Sequence, residues 1–241
     1  GRLHHRQIRL RDRCALKRAH TDREYEGQLQ ELRERLLRMA GIVEQMIVDA
    51  VRAALHQDRE LAQATLERDT TVNRLEVESD ELCLIILAKR QPLASDLRFV
   101  TLALKMVTDL ERIGDLAVNI CERAIDLAGH PQPWPWDGVD AMARAVRAMI
   151  RDAIQAFVDR DVDKAESVCE RDAEVDKLYW QVFRTVLDLM RKQPNSVHDG
   201  IHVQSIAKFL ERMGDHSTNL AEQVVFMIKG KDIRHMGRAS E

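Results

Sequence analysis

Residues 111–119 read E-R-I-G-D-L-A-V-N, and residues 211–219 read E-R-M-G-D-H-S-T-N. Both copies place Glu, Gly, Asp and Asn at the same relative positions, and on a helix the two acids, four residues apart, lie on nearly one face. Such acids repel each other, and the glycine costs a helix about 1 kcal/mol relative to alanine. Because both penalties occur twice, the stretch indicates a site. We call these acid pairs the acidic ladders: Glu111 with Asp115, and Glu211 with Asp215.

Two further segments of the chain are duplicated. E-R-D-T-T-V-N-R-L at residues 67–75 matches E-R-D-A-E-V-D-K-L at residues 170–178, and a Gln-Pro pair follows each segment, at Gln91 and Gln193. Together with the ladders these make three anchors in one order, each 100 to 103 residues from its copy. The sequence therefore predicts an internal duplication.

Apolar residues recur at the period of a helix through both halves, and no segment alternates over a useful length as a β-strand does. Predicted helices span residues 21–57, 59–90 and about 96–127 in the first half, and 137–158, 161–191 and 197–229 in the second. Three amphipathic helices of such length bury their apolar stripes by packing as an antiparallel bundle. The predicted fold class is all-α, with two tandem, similar three-helix antiparallel bundles.

Proline and charge mark the domain boundaries. Residues 1–19 carry seven Lys/Arg and one acid. We expect this basic extension to be disordered or added to the natural chain; the alternative is an arm that binds nucleic acid or a membrane. The first bundle is predicted at residues 20–128 and the second at residues 137–230. Residues 129–136 form a Pro/Trp linker whose tryptophans pack the junction, and residues 231–241 form a tail.

Composition narrows the class of protein. The net charge of -3 gives no general attraction to nucleic acid or anionic lipid. The four cysteines show no C-x-x-C spacing, and the apolar runs are too short to span a bilayer, so we expect a cytoplasmic protein. No phosphate-binding glycine loop and no nucleophile with an evident base stand out, so we expect no enzyme activity.

The second helix of each half carries acids that match the ladder. Asp69 lies 23 residues before Pro92 and Asp115 lies 23 residues after it, so both stand at one height of the hairpin. In the second half the corresponding distances, for Asp172 and Asp215, are 22 and 21 residues. Carboxylates at one height repel unless a cation compensates, and they are suitable ligands for iron, manganese, magnesium or calcium. The alternative is a pair of solvated faces, each balanced by the arginine inside its ladder.

These motifs resemble those of a known family. D-L-E-R-I-G-D-L-A-V-N at residues 109–119, with Q-P-L-A-S-D-L-R-F-V at residues 91–100 before it, is similar to the signature of the PhoU family of phosphate-uptake regulators. L-E-R-M-G-D-H-S-T-N-L-A-E at residues 210–222 is similar to its second copy. The resemblance covers residues 20–230 and implies two three-helix bundles with E/D-x-x-x-D motif pairs that hold multinuclear metal clusters.

Carried over to this chain, the resemblance implies a set of metal ligands in each half. The implied ligands are Glu111, Asp115, Glu211, Asp215, Asp69, Asp172 and Asp176, with Asn73, Asn119 and Asn219 as weaker ligands or as supports of the ligands. Asn73 stands where the family usually has Asp, which leaves the first site one charge poorer, so the second site is expected to be the stronger one. Iron is the first candidate metal, with zinc, manganese and magnesium as alternatives.

The resemblance also implies a function and partners. The protein would be a negative regulator of phosphate uptake and of the phosphate-starvation response. It would act as an adaptor between the ATPase of a phosphate ABC transporter and a phosphate sensor histidine kinase. We further expect a homodimer, no nucleic-acid binding, and membrane contact only through the partners.

Two other function classes stay open at this stage. One is a metal-binding bundle of the di-iron oxidase or metal-store type, although such proteins characteristically use Glu-x-x-His pairs, which are absent here. His198 and His202 offer an i,i+4 pair, but an exposed first turn is the simpler interpretation. The other class is a nucleic-acid binder that acts through residues 1–19.

Overall fold

The structure, a computed structural model, describes residues 2–129 and 134–230, with side chains from residue 23 onward. Gly1, residues 130–133 of the predicted linker and the predicted tail at residues 231–241 lie outside the described residues. Within the described ranges the chain forms α-helices and one 3₁₀ turn at Pro194–Ser196, without β-strands. The helices are α1 (Arg2–His56), α2 (Arg59–Leu66), α3 (Asp69–Arg90), α4 (Ala94–Leu127), α5 (Trp136–Asp159), α6 (Val162–Glu170), α7 (Asp172–Lys192) and α8 (Val197–Lys229).

Each predicted second helix is broken in two, which the sequence analysis missed. The breaks fall at Arg68 and at Arg171, inside the duplicated E-R-D segments. Each arginine donates its backbone N–H three residues back, at 3.1 Å, which tightens the turn into 3₁₀ geometry. Its guanidinium binds an aspartate on the first helix of the same bundle: Arg68 binds Asp49, and Arg171 binds Asp152 at 2.7 Å.

The first helix begins earlier than predicted. The sequence analysis placed its start at residue 21 and treated residues 1–19 as a separate extension, either disordered or added to the natural chain, whereas the backbone of α1 is helical from Arg2. The physical reason is that residues 2–20 contain neither proline nor glycine and are rich in Arg and Leu, which favour helix. A bundle boundary at residue 20 therefore has no break in the helix to mark it.

The helices form the two predicted bundles, joined side by side. Helices α1, α2, α3 and α4 form the first bundle, and α5, α6, α7 and α8 form the second, with one continuous core of buried side chains through both. The longest contact between the bundles is that of α4 with α8, which run antiparallel: Arg98 Nε donates to the Met227 carbonyl at one end, and His202 lies 3.5 Å from Asp126 at the other. Trp134, in the predicted linker, is buried, and Trp136 is partly buried against the core.

No helix of residues 2–129 and 134–230 is long and apolar enough to cross a membrane. Most apolar positions of the helical period are buried, but the same period also predicts Ile85 and Ile201 to face inward, and they are exposed by 39% and 56%. Leu110 on α4 and Leu210 on α8, one residue before each ladder, have no exposed surface. This burial fixes the rotation of both helices, and it sets the direction in which the ladder residues point.

Candidate metal centres

The ladder glycines show that the predicted hairpin pairing is correct. A Cβ added to Gly114 would lie 3.3 Å from Val72 Cγ1 and 4.0 Å from Asp69 Oδ1. A Cβ added to Gly214 would lie 3.4 Å from Asp172 Oδ1 and 3.4 Å from Val175 Cγ1. Gly114 therefore lets α3 pack closely against α4, and Gly214 lets α7 pack closely against α8.

Asp69 and Asp172 also occupy an electrostatically favourable position. Asp69 is the first residue of α3 and Asp172 the first residue of α7, directly after the breaks at Arg68 and Arg171. The unpaired N–H groups and the macrodipole of a helix N-terminus stabilise a negative charge at such a position. The break that the sequence analysis missed therefore helps to keep an acid opposite each ladder.

The first centre concentrates negative charge in a partly buried place. We define it by Asp69, Glu76 and Asp80 on α3 and by Glu111 and Asp115 on α4. The pKa of Glu111 is raised from 4.5 to about 7, first by burial and then by the charges of Asp115 and Glu76, while Arg112 lowers it by a smaller amount. Burial also raises the pKa of Asp69, Glu76 and Asp80, and the charge of Asp115 adds to the effect on the first two.

Glu76 and Asp80 were missed in the sequence analysis. They continue the face of α3 that starts at Asp69 and Asn73, since the four residues follow at i, i+4, i+7 and i+11. That spacing is the signal that could have found them. Both residues lie just after the duplicated segment at residues 67–75, and the matching positions in the second half are not acidic. With these two residues the first centre is richer in charge than the second, in spite of Asn73.

Asn73 has a defined place in the first centre. Its amide donates to Asp69 Oδ2 at 2.8 Å, while Asp69 Oδ1 is buried and accepts no hydrogen bond. A buried carboxylate oxygen without a partner costs free energy unless a cation or a proton satisfies it. Arg112 lies 3.6 Å from Glu111 and 3.5 Å from Asp115, but its side chain is mostly exposed. The arginine therefore balances only part of the charge.

The second centre has a different electrostatic balance. Lys208 Nζ lies 2.6 Å from Glu211 Oε2, one turn away on α8. Burial alone would lower the pKa of Lys208, but the hydrogen bond and the charge of Glu211 outweigh it, so the pKa is raised. The positions that correspond to Glu76 and Asp80 are occupied by Tyr179 and Phe183, which pack with Trp180 as an aromatic cluster. Asp176 and Asp215 are exposed.

The amide of Asn219 binds an acid outside its own ladder. Asn219 donates to Asp109 Oδ1 at 3.4 Å, across the interface of α4 with α8, so its amide is directed to the other bundle. His216 and Gln223 bind the same carboxylate, at 2.9 and 2.6 Å. Asp109 is 9% exposed. Its carboxylate links the two bundles through these three side chains of the second bundle. Asn119, the counterpart of Asn219, is half-buried on α4.

His198 and His202, the weaker candidate pair, lie in ring contact with centroids 4.7 Å apart. His202 Nδ1 is 3.5 Å from Asp126, at the far end of the bundle interface, and burial lowers the pKa of His202. The pair is therefore separate from both ladders.

The first centre fits a metal ion in its chemistry. It supplies carboxylate oxygens, among them an unpartnered buried oxygen on Asp69. Among the side chains described, in residues 23–129 and 134–230, no three from Asp, Glu, His or Cys converge closely enough to hold one ion. Binding would therefore require rotation of ladder side chains such as Glu111 and Asp115.

Comparison with known sequences identifies the family. Residues 36–124 and 139–224 match the family model of the PhoU domain, one match in each bundle. This chain belongs to the PhoU family. It is 41% identical over 219 residues to the phosphate-specific transport system accessory protein PhoU homolog of Pseudomonas putida, a match that covers 90% of this chain and 86% of the relative. It is 34% identical to the phosphate-specific transport system accessory protein PhoU of Escherichia coli K12, over 90% of each chain.

Solved PhoU structures have the same fold. The crystal structure of PhoU from Pseudomonas aeruginosa superposes with a TM-score of 0.83 at 38% identity, covering 86% of this chain and all of that one. The phosphate transport system regulatory protein PhoU from Streptococcus pneumoniae superposes with a TM-score of 0.81 at 26% identity, covering 87% of this chain and 99% of that one. The predicted family and the predicted pair of three-helix bundles are both confirmed.

Proposed function

We propose that this protein regulates phosphate uptake as an accessory component of a phosphate-specific transport system. The observation that carries the proposal is the match over 90% of the chain to PhoU relatives named for that role. The family model matches a segment of each bundle, and each matched segment includes one ladder. The regulation would lower phosphate uptake and the phosphate-starvation response when phosphate is ample.

The proposed mechanism is that of an adaptor, which works by protein contact and not by catalysis. It would contact the ATPase of a phosphate ABC transporter and a phosphate sensor histidine kinase. Helices α3 and α7, at the outer sides of the bundles, expose large apolar side chains: Val77 by 56%, Leu84 by 61% and Trp180 by 53%. Exposed tryptophan and leucine on a helix are typical anchors for a partner helix. A cytoplasmic location and a homodimer remain part of the same proposal.

The test is a pull-down with the full chain from phosphate-replete cells, followed by identification of the recovered proteins. We expect recovery of the transporter ATPase and the sensor kinase. Trp180→Ala and Val77→Ala form a matched pair, because the two residues occupy corresponding places on α7 and α3. Loss of one partner with one variant would locate its contact. Recovery of neither partner by the unaltered chain would contradict the adaptor mechanism.

A second candidate function is metal binding at the ladders, with iron as the first candidate and zinc, manganese or magnesium as alternatives. It is supported by the raised pKa of Glu111, about 7, and by the unpartnered oxygen of Asp69. A bound cation would favour the ionised carboxylates that burial disfavours. Residues of the first centre would hold it, and the ladder acids Glu111 and Asp115 would be its principal ligands.

Elemental analysis of the purified protein tests this second function. We expect the double substitution Glu111→Gln and Asp115→Asn to lower the metal content while helicity measured by circular dichroism stays the same. Unchanged metal content would show that the metal, if any, is held elsewhere. Oxygen consumption on addition of iron(II) would instead favour the oxidase class.

A further inference from the structure

The two centres differ in the residue one helical turn before the ladder glutamate. That residue is Thr108 before Glu111 and Lys208 before Glu211. Thr108 is exposed, and its hydroxyl donates to the backbone carbonyl of Leu104 at 3.1 Å, so it brings no charge to its ladder. Lys208 places an ammonium group 2.6 Å from the glutamate of the other ladder.

Lys208 is held in this position from two sides. Its ammonium group lies 5.4 Å from the centre of the Tyr179 ring on α7, which is the distance of a cation–π contact. The Tyr179 hydroxyl accepts a hydrogen bond from Gln204 at 3.1 Å, one turn before Lys208 on α8. Tyr179 is thereby fixed between the two helices, and it supports the contact of Lys208 with Glu211.

The second centre also has fewer acids than the first. Tyr179 and Phe183 stand where α3 has Glu76 and Asp80, so the two extra carboxylates of the first centre become aromatic rings. The aromatic cluster and the lysine thus occur together, and the extra acids and the threonine occur together. The two centres therefore differ at several positions together, although the folds of the two bundles are duplicates.

We propose that Lys208 is a tethered counter-ion that takes the place of a metal ion at the second ladder, so that only the first centre binds metal. The Glu211 side chain is 15% exposed, the same as that of Glu111, so the two ladders differ in their cation and not in their burial. A metal ion at Glu211 would have to displace an ammonium group that is covalently attached and always present. It would also meet the repulsion of that ammonium at short range.

The test exchanges the two residues. Lys208→Thr gives the second ladder the residue of the first, and Thr108→Lys gives the first ladder the residue of the second. Mn²⁺ is the probe, and binding to the purified full chain is measured by isothermal titration and by the electron paramagnetic resonance signal of free Mn²⁺. We expect the unaltered protein to have one class of Mn²⁺ sites, at the first centre. Lys208→Thr should add a second class of sites, at the second ladder. Thr108→Lys should lower the Mn²⁺ affinity of the first centre at least tenfold.

Two controls make the result specific. Lys208→Arg keeps the charge and should not gain the second class of bound Mn²⁺. Glu111→Gln should remove the class seen in the unaltered protein, whereas Glu211→Gln should leave it in place. Both exchanged residues lie on the surface of long helices, and circular dichroism with thermal melting verifies that each variant is folded.

Several outcomes would overturn the inference. One is binding of Mn²⁺ by both ladders of the unaltered protein, seen as loss of one class with Glu111→Gln and of another with Glu211→Gln. A second is an unchanged Mn²⁺ isotherm for Lys208→Thr. A third is absence of Mn²⁺ binding from both the unaltered protein and Lys208→Thr. The inference rests on metal binding at the first centre and not on the adaptor mechanism, so the pull-down and the titration can fail independently.

Discussion

The two bundles share their packing and differ in their charge. Leu110 and Leu210 are fully buried at corresponding positions, each ladder glycine lets an aspartate of the neighbouring helix approach, and each E-R-D segment contains an arginine that binds the first helix of its bundle. The carboxylates of the first centre have no close ammonium partner, whereas Lys208 binds the glutamate of the second. The comparison teaches that a duplicated fold keeps the contacts that position a site, while the site itself can diverge.

The shared packing makes the first and largest prediction. Leu110→Ala and Leu210→Ala should each lower the free energy of unfolding by about 2–5 kcal/mol, because each removes a fully buried side chain and leaves a cavity. Urea denaturation followed by circular dichroism measures both. The two costs should agree within about 1 kcal/mol if the cores are equivalent. A cost near zero for one leucine would show that its core is not packed as described.

The bundle interface breaks the symmetry and gives the second prediction. Asp109 receives His216, Asn219 and Gln223, whereas the corresponding position in the second bundle is Phe209. Asp109→Ala should cost about 2 kcal/mol, because it removes a buried acceptor and leaves donors of α8 without their partner. Thermal unfolding should also separate the two bundles into less cooperative steps. Asp109→Asn is the control, since it keeps one acceptor oxygen and should cost less; an equal loss with both variants would contradict the role of Asp109 as an acceptor.

The charge difference gives the third prediction, a pH dependence that comes from the first centre. The pKa of Glu111 is about 7 in the folded protein against 4.5 ordinarily, so between these values the folded state binds more protons than the unfolded state. Stability should therefore fall as the pH rises from about 4.5 to 7, by an amount on the order of 1–2 kcal/mol once solvent screening is allowed for. Glu111→Gln should flatten this fall, as measured by urea denaturation at a series of pH values.

Glu211→Gln is the matched variant for that experiment. It leaves Glu111 and its neighbours Glu76 and Asp115 intact, so the fall in stability across the same pH range should persist. A flattened profile with Glu211→Gln, or an unchanged profile with Glu111→Gln, would show that the pH dependence does not come from the first centre.

The sequence alone predicts how the helices of this protein are arranged. The helical period, the proline turns and the three duplicated anchors predict two three-helix bundles. The equal distances of Asp69 and Asp115 from Pro92 predict that they meet, and the contact at Gly114 confirms it. These inferences succeed because they depend on helix rise and on hairpin geometry, which are set by the backbone and vary little with the side chains.

The charge balance of the centres was not predictable in the same way. Comparing the halves for identical acids hides what differs between them, so Glu76, Asp80 and Lys208 received no attention. The contacts of Lys208 with Glu211 and Tyr179 depend on side-chain rotamers and on the packing of α7 against α8. The breaks at Arg68 and Arg171 depend likewise on ion pairs with residues 19 positions earlier. The ranking of the second centre above the first was therefore based on Asn73 alone.

The duplicated arginine pairs give the last and smallest prediction. Arg68 binds Asp49 and Arg171 binds Asp152 at corresponding places, but the Asp49 side chain is 10% exposed and the Asp152 side chain is 38% exposed. Water screens the second pair more, so a double-mutant cycle should give a coupling of about 1 kcal/mol for the first pair and about 0.5 kcal/mol for the second. Substitution to alanine, singly and together, with urea denaturation, measures both couplings. The two ion pairs have corresponding positions and differ in burial, so equal couplings would show that burial does not set their strength. A stronger coupling for the second pair would mean that the helix break at Arg171 depends on its ion pair more than the break at Arg68 does.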